Sequence, residues 1–215
     1  RALGKYENNF KLHTGFAWHQ NGNRTNNLYL GPDAYKSIQF AWFNKSWENA
    51  DLSLLFLNNG IPYVSATDTA GNPVSEGISW SQTFGHYFTW EGEKTGFVLS
   101  SYLQTGKDNS RKDLFAFYLN AEGSLDITEK IRAGAGFEYL SGTDYDKTGE
   151  NHSFNPFYGT NHKFNGTMDY FYVGNHINDV GLQDYFVRAR YSENTFVFGA
   201  DVHLFLSAAD LDEGA

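Results

Sequence analysis

Charged and imidazole side chains recur at every second position in several extended stretches of this 215-residue chain. Lys11 and His13 alternate with Phe10, Leu12 and Phe16, and His19 continues the series. Lys45, Asp51, Arg132 and Glu138 stand beside bulky apolar neighbours in the same way. Asp184, Arg188 and Arg190 alternate with Tyr185, Val187 and Ala189, and Asp201 and His203 with Val202 and Leu204. Successive side chains of a strand point to opposite faces, so each stretch has one wet side and one apolar side. Basic rings along a water-filled pore select anions, and mixed rings orient polar solutes. Lys11, His13, Lys45, Arg132, Glu138, Asp184, Arg188, Arg190, Asp201 and His203 are therefore expected to line a hydrated lumen. The plainer reading of any one of them is a neutralised pair that holds a sheet wall together.

Other chemistries find little support. The chain has no Cys, which removes thiolate metal sites, disulfides and cysteine nucleophiles. Its seven His show no H-x-x-x-H or H-E-x-x-H spacing, so no metal site is expected. No G-x-S-x-G, P-loop or dinucleotide fingerprint occurs. Ser100 and Ser101 near His86 form at most a Ser–His pair with no third orienting group. The run from Asp144 through Asp146 and Thr148 to Gly149 resembles the start of a calcium loop. Asn155 stands where the closing Glu belongs. The expectation is no catalysis and no cofactor.

The elements that must position these side chains are strands. Alternation of period two runs over 9–20, 35–46, 50–58, 78–91, 96–105, 112–121, 129–141, 182–192 and 195–207. In the second of these, Ile38, Phe40 and Trp42 are expected on the apolar side, opposite Gln39, Ala41 and Lys45. Short turns are expected at Trp47-Glu48, Glu93-Lys94, Glu122-Gly123 and Glu193-Asn194. Longer polar segments, 21–34, 59–77, 106–111 and 142–181, fill the other connections. Short and long alternate throughout, as in outer-membrane barrels with short turns on one side and long loops on the other. A two-residue turn at Glu93-Lys94 sets Trp90 opposite Phe97 and Phe88 opposite Leu99. One at Glu193-Asn194 sets Asp184 opposite His203, with Arg188 diagonal to Asp201. Trp80 and Trp90 share a face ten residues apart. At ~3.3 Å per residue and a tilt of ~40° they span about 25 Å, the height of an apolar band between aromatic girdles. Gln82 and His86 break that band.

Composition agrees. Aromatics make up 18% of the chain and charged residues 19%, yet mean hydropathy is −0.51. So many aromatics exclude disorder. A net charge of −9 without a basic block argues against a nucleic-acid partner. No run of about 18 apolar residues exists, so no membrane-spanning helix is expected.

Tyr102, Gln104, Gly106 and Lys107 close one strand, and a second stretch runs from Phe154 through Pro156, Tyr158, Asn161, His162, Lys163, Gly166, Met168 and Asp169 to Tyr170 and Phe171. Together they resemble the C-terminal half of the alginate-export family of outer-membrane porins. The resemblance implies an eighteen-stranded barrel with a charged pore, passing an anionic polysaccharide or similar solutes.

The expected whole is a single domain, 1–215: an all-β, antiparallel, up-and-down transmembrane β-barrel, with about nine strands of a larger one present. Its partners would be the outer-membrane lipid bilayer of a Gram-negative bacterium and an anionic polysaccharide or small hydrophilic solute. The 142–181 segment is expected as an extracellular or pore-folded loop, where Tyr158 and Tyr170 stack on sugar faces and His162 and Lys163 meet carboxylates. Two rivals stand beside this: a soluble glycan-binding β-sandwich, and an adhesion or scaffold barrel with a plugged lumen.

Overall fold

The alternating stretches all form strands. A computed structural model describes residues 2–6, 9–18, 35–157 and 180–212. Its elements are β1 (Ala2–Tyr6), β2 (Phe10–Trp18), β3 (Ser37–Ser46), β4 (Ala50–Thr67), β5 (Pro73–Glu91) and β6 (Thr95–Lys107). They continue with β7 (Asp113–Asp126), β8 (Ile131–Leu140), β9 (Glu150–Asn151), β10 (Leu182–Glu193) and β11 (Phe196–Leu206). Every strand but β9 pairs antiparallel with its neighbours in chain order, so the fold is an up-and-down meander of ten strands. The two-residue β9 adds a parallel pairing to β7. Among the described residues there is no helix, and β1 and β11 are the open edges of the sheet.

The nine expected strands are all present, and β1 precedes them. The Glu93-Lys94 turn is as read, with Trp90 paired to Phe97 and Phe88 to Leu99. Three other readings need correction. Residues 59–77 are not a loop: β4 and β5 continue as one long hairpin closed at 68–72. The turn between β7 and β8 is not Glu122-Gly123, because pairing continues to Asp126 and Arg132 and the turn is 127–130. The last hairpin turns at Asn194-Thr195, which pairs Glu193 with Phe196 and shifts the register by two residues from the expected one. A two-residue shift keeps every side chain on its face.

Facing partners fix the two faces of the sheet. One is apolar: Leu12, Phe16, Leu54, Phe56, Trp80, Phe84, Trp90, Phe97, Leu99, Phe137, Tyr185, Phe198 and Leu204 all lie on it and are exposed. The other carries Asn44, Ser81, Ser100, Gln104, Glu138 and Asp184, all buried. No second sheet covers it among the described residues. Part of it lies under the 151–155 segment, where Asn155 is bonded to Gln104 and Phe154 packs on Tyr118. Elsewhere neighbours on the same face shade the polar groups, as His203 does Asp184 and Tyr118 does Glu138.

The strands are staggered. Pair by pair from Phe10, the first residue of β2, the partners are Lys45, Leu52, Phe88, Leu99, Ala121, Phe137 and Tyr185. Tyr185 lies far up β10, whose turn end is Glu193. The shift is roughly one residue per strand, the relation between tilt and register that closing a barrel requires.

Candidate functional site on the polar face

Nine of the ten expected lumen residues share the polar face. Lys11 connects through the facing partners Asn44, Ser53, Tyr87, Ser100 and Asn120 to Glu138 and Asp184. Arg132 faces Arg190, Arg188 faces Asp201, and His13 and His203 lie on the same side. Lys45 does not belong with them. It faces Phe10 and Leu52 on the apolar side, and its Nζ sits 4.1 Å from the Phe10 ring centroid. A lysine at the turn end can lay its stem on apolar surface and carry its charge to the rim. The same register puts Ile38, Phe40 and Trp42 on the polar side, against the expected assignment. β3 has aromatics at both parities, Phe40 and Trp42 on one face and Phe43 on the other, so alternation alone left its phase open.

The charges are interlocked. Arg190 forks onto Asp201, with Nη1 to Oδ1 at 2.6 Å and Nη2 to Oδ2 at 3.0 Å. Arg188 meets Glu122 at 3.0 Å, and its guanidinium lies 4.6 Å from the Phe186 ring. Arg132 reaches Glu91 at 2.6 Å and Asp126 at 3.6 Å and donates to Ser124 Oγ. Asp184 faces Phe205, not His203. It still takes the His203 Nδ1 at 2.9 Å along the diagonal, and Phe186 and Phe205 flank that imidazole ring. Tyr118 donates its hydroxyl to Glu138 Oε1 at 2.5 Å. Glu91, Glu122, Asp126 and Tyr118 were absent from the expected set. Glu122 was read as a turn and Glu91 as a strand end. Tyr118 carries no charge to mark it.

One row of facing partners crosses this side without a carboxylate, Lys or Arg. It runs His13, Trp42, Leu55, Gly85, Tyr102, Tyr118, Leu140 and Leu182. The stagger makes it oblique. His13 lies near Phe10 at the turn end of β2, whereas Leu140 and Leu182 close β8 and open β10 at the loop end. The Tyr102 ring occupies the space a Cβ on Gly85 would need, and the Phe40 ring does the same over Gly15. Both rings thus lie folded across a neighbouring strand.

The first part of the long connection packs on the upper end of that row. Phe154 is 5% exposed, with its ring 5.5 Å from Tyr118 and 6.5 Å from Tyr102. Gln104 holds the next residue from both sides: its Nε2 donates to the Asn155 carbonyl at 2.6 Å and its Oε1 accepts the Asn155 N–H at 2.9 Å. Asn151 donates to Asp108 at 3.0 Å. Tyr158, His162, Lys163 and Tyr170 lie outside the described residues.

The two polar intruders on the apolar face have partners. Gln82 donates to Asn58 at 2.7 Å, Asn58 to Gln39 at 2.5 Å, and Gln39 to Ser37 at 2.6 Å. His86 Nδ1 and Ser101 Oγ are 3.1 Å apart. Such ladders satisfy polar groups that a nonaqueous surrounding would otherwise leave unpaired. Among the described residues no three His, Asp or Glu converge as metal ligands. No helix there is long and apolar enough to cross a membrane, which says nothing about strands. No family model and no curated protein matches this chain.

Proposed function

We propose that this chain forms the wall of an outer-membrane β-barrel channel that passes hydrophilic solutes without catalysis. The observation that carries the reading is the division between faces. Large apolar side chains such as Phe84, Phe97 and Phe198 are exposed at 48%, 39% and 64%, while the opposite face buries Asp184 at 1%. In water this is inverted, because a soluble sandwich buries its apolar face against a second sheet. In a bilayer it is the natural arrangement: hydrocarbon covers the apolar face and water the polar one. Stagger of about one residue per strand supports closure into a barrel.

The charge inventory favours some solutes. Among the strand residues whose side chains are described, Lys11, Arg132, Arg188 and Arg190 are the cations of the polar face. Against them stand Asp51, Glu91, Glu122, Asp126, Glu138, Asp184 and Asp201. The three arginines are bound to carboxylates. Such a lining favours neutral or cationic solutes over polyanions.

Reconstitution in planar bilayers tests the proposal. The expected result is stepwise ion conductance, with protein soluble only in detergent. A monodisperse protein in plain buffer that never conducts overturns it.

A further inference from the structure

We infer that the oblique apolar row is a track for unbranched, uncharged oligosaccharides; this rests on the channel reading above. A pyranose ring has an apolar face of C–H groups and a rim of hydroxyls. A surface that binds it offers flat aromatic rings beside hydrogen-bonding side chains. The polar face has both in adjacent rows. Trp42, Leu55 and Tyr102 are half-buried on this row, and Phe154 packs beside Tyr102 and covers the row beyond it, where Tyr118, Leu140 and Leu182 are buried. The Tyr102 ring lies across Gly85, so its broad side faces away from the sheet. A side chain standing upright on the sheet would show only its edge. The neighbouring row toward the turns holds Asn44, Ser53, Tyr87, Ser100 and Asn120, which donate and accept without charge. That pairing suits hydroxyls.

The direction of the row fits transport. A row level with the membrane would be a ring that a solute meets once. This one begins near the turn end at His13 and Trp42, climbs to Tyr102, and ends where Phe154 buries Tyr118, Leu140 and Leu182. A sugar chain can therefore pass from Trp42 to Tyr102 and exchange one stacking contact for the next. Multiple weak sites let a solute enter and leave. Charge excludes the alternative occupant. The rows below are richer in carboxylates than in cations, so a polyuronate would be repelled along its length.

Maltohexaose and hexagalacturonate are the probes, and interruption of ionic current through single channels is the readout. Maltohexaose is expected to block, and hexagalacturonate at equal concentration is not. Trp42→Ala and Tyr102→Ala should each raise the half-blocking concentration about fivefold, the scale of one lost stacking contact. Trp42→Phe and Tyr102→Phe should stay within about twofold, since a ring remains. Phe137→Ala on the apolar face should change nothing. Conductance without maltohexaose blockade, or blockade indifferent to both alanine variants, overturns the track and leaves the channel standing. Absence of all conductance removes the channel and the track with it. Should an alanine variant fail to fold, tryptophan fluorescence of the detergent-solubilised chain decides the matter. Quenching by maltohexaose that disappears in Trp42→Phe supports the track, and no quenching overturns it.

Discussion

Two turns at the loop end solve one problem with different residues. Asp68 Oδ1 accepts the N–H of Ala70 at 2.9 Å and of Asn72 at 2.8 Å, and Asp108 Oδ1 accepts those of Ser110 and Lys112, both at 2.8 Å. The fourth position of each is left-handed: Gly71 at φ 83° and Arg111 at φ 66°. Glycine meets no penalty there, whereas an L side chain costs about 1–2 kcal/mol. Arg111 recovers part of that by lying 5.1 Å from the Tyr63 ring, a contact worth about 0.5–1 kcal/mol where exposed. Backbone strain outweighs the ring contact, so Arg111→Gly should stabilise the fold by about 0.5 kcal/mol in urea titrations of detergent-folded protein. Asp68 also makes a pH prediction. The Asn72 side-chain amide, with the backbone N–H groups beside it, holds its carboxyl below the ordinary 3.8. A depressed folded value means the stabilisation is complete above 3.8 and is lost as pH falls through the lower folded value. Hydrogen exchange at Ala70 and Asn72 should therefore lose protection, relative to strand amides, only in that acid range. Unchanged relative protection at about pH 2 would contradict it.

Glycine and ring act together at the scale of the strand pair. A Cβ at position 85 would collide with the Tyr102 ring, while one at Gly123 meets nothing within 4 Å. Gly85→Ala should therefore destabilise by about 1–3 kcal/mol in the same urea titration, and Gly123→Ala by far less. Equal effects would show that Tyr102 moves aside at no cost. Pairs of this kind also mark the limit of what sequence shows. Strand existence was legible throughout, because alternation persists over each run and the apolar face must stay continuous. The β5–β6 register was legible because only one turn keeps Trp90, Phe88 and Phe84 with Phe97, Leu99 and Leu103. The phase of β3 was not, because Phe40 and Trp42 sit on the polar face among inward rings such as Tyr102, and hydropathy cannot distinguish an inward ring from an outward one. Nor was the reach of the β4–β5 hairpin, since Asn59 through Val64 reads as loop composition although it pairs as strand. The polar-face set was legible except for Lys45; of its ion-pair partners, Glu122 and Asp126 were hidden by a turn placed too early, and Glu91 by its place at a strand end.

At the scale of the whole sheet, the channel proposed above predicts a different solvent on each face. Phe84 lies between Trp80 and Trp90 on the apolar face. Phe84→Arg should cost about 2–4 kcal/mol of membrane-folded stability, as charge facing hydrocarbon does. Folding into lipid vesicles, followed by protection from protease, checks this; insertion at wild-type levels would place water outside that face. Among the described strand side chains of the polar face, seven carboxylates against four cations should make the proposed channel prefer potassium to chloride in a salt gradient. A reversal potential of anion-selective sign would contradict it. The stagger matters here as well, because it turns facing rows into inclined paths and gives the wall a direction.

Gln104 adds a chemical consequence of its own. Its primary amide grips Asn155 with one donor and one acceptor, as a neighbouring strand would. Hydrolysis of that amide releases ammonia and leaves a carboxylate. The acceptor survives, but the donor becomes a second oxygen facing the Asn155 carbonyl. An aged molecule would thus differ from a fresh one by a few atoms, and the tether over the upper strands would be repelled at the point where it is now held.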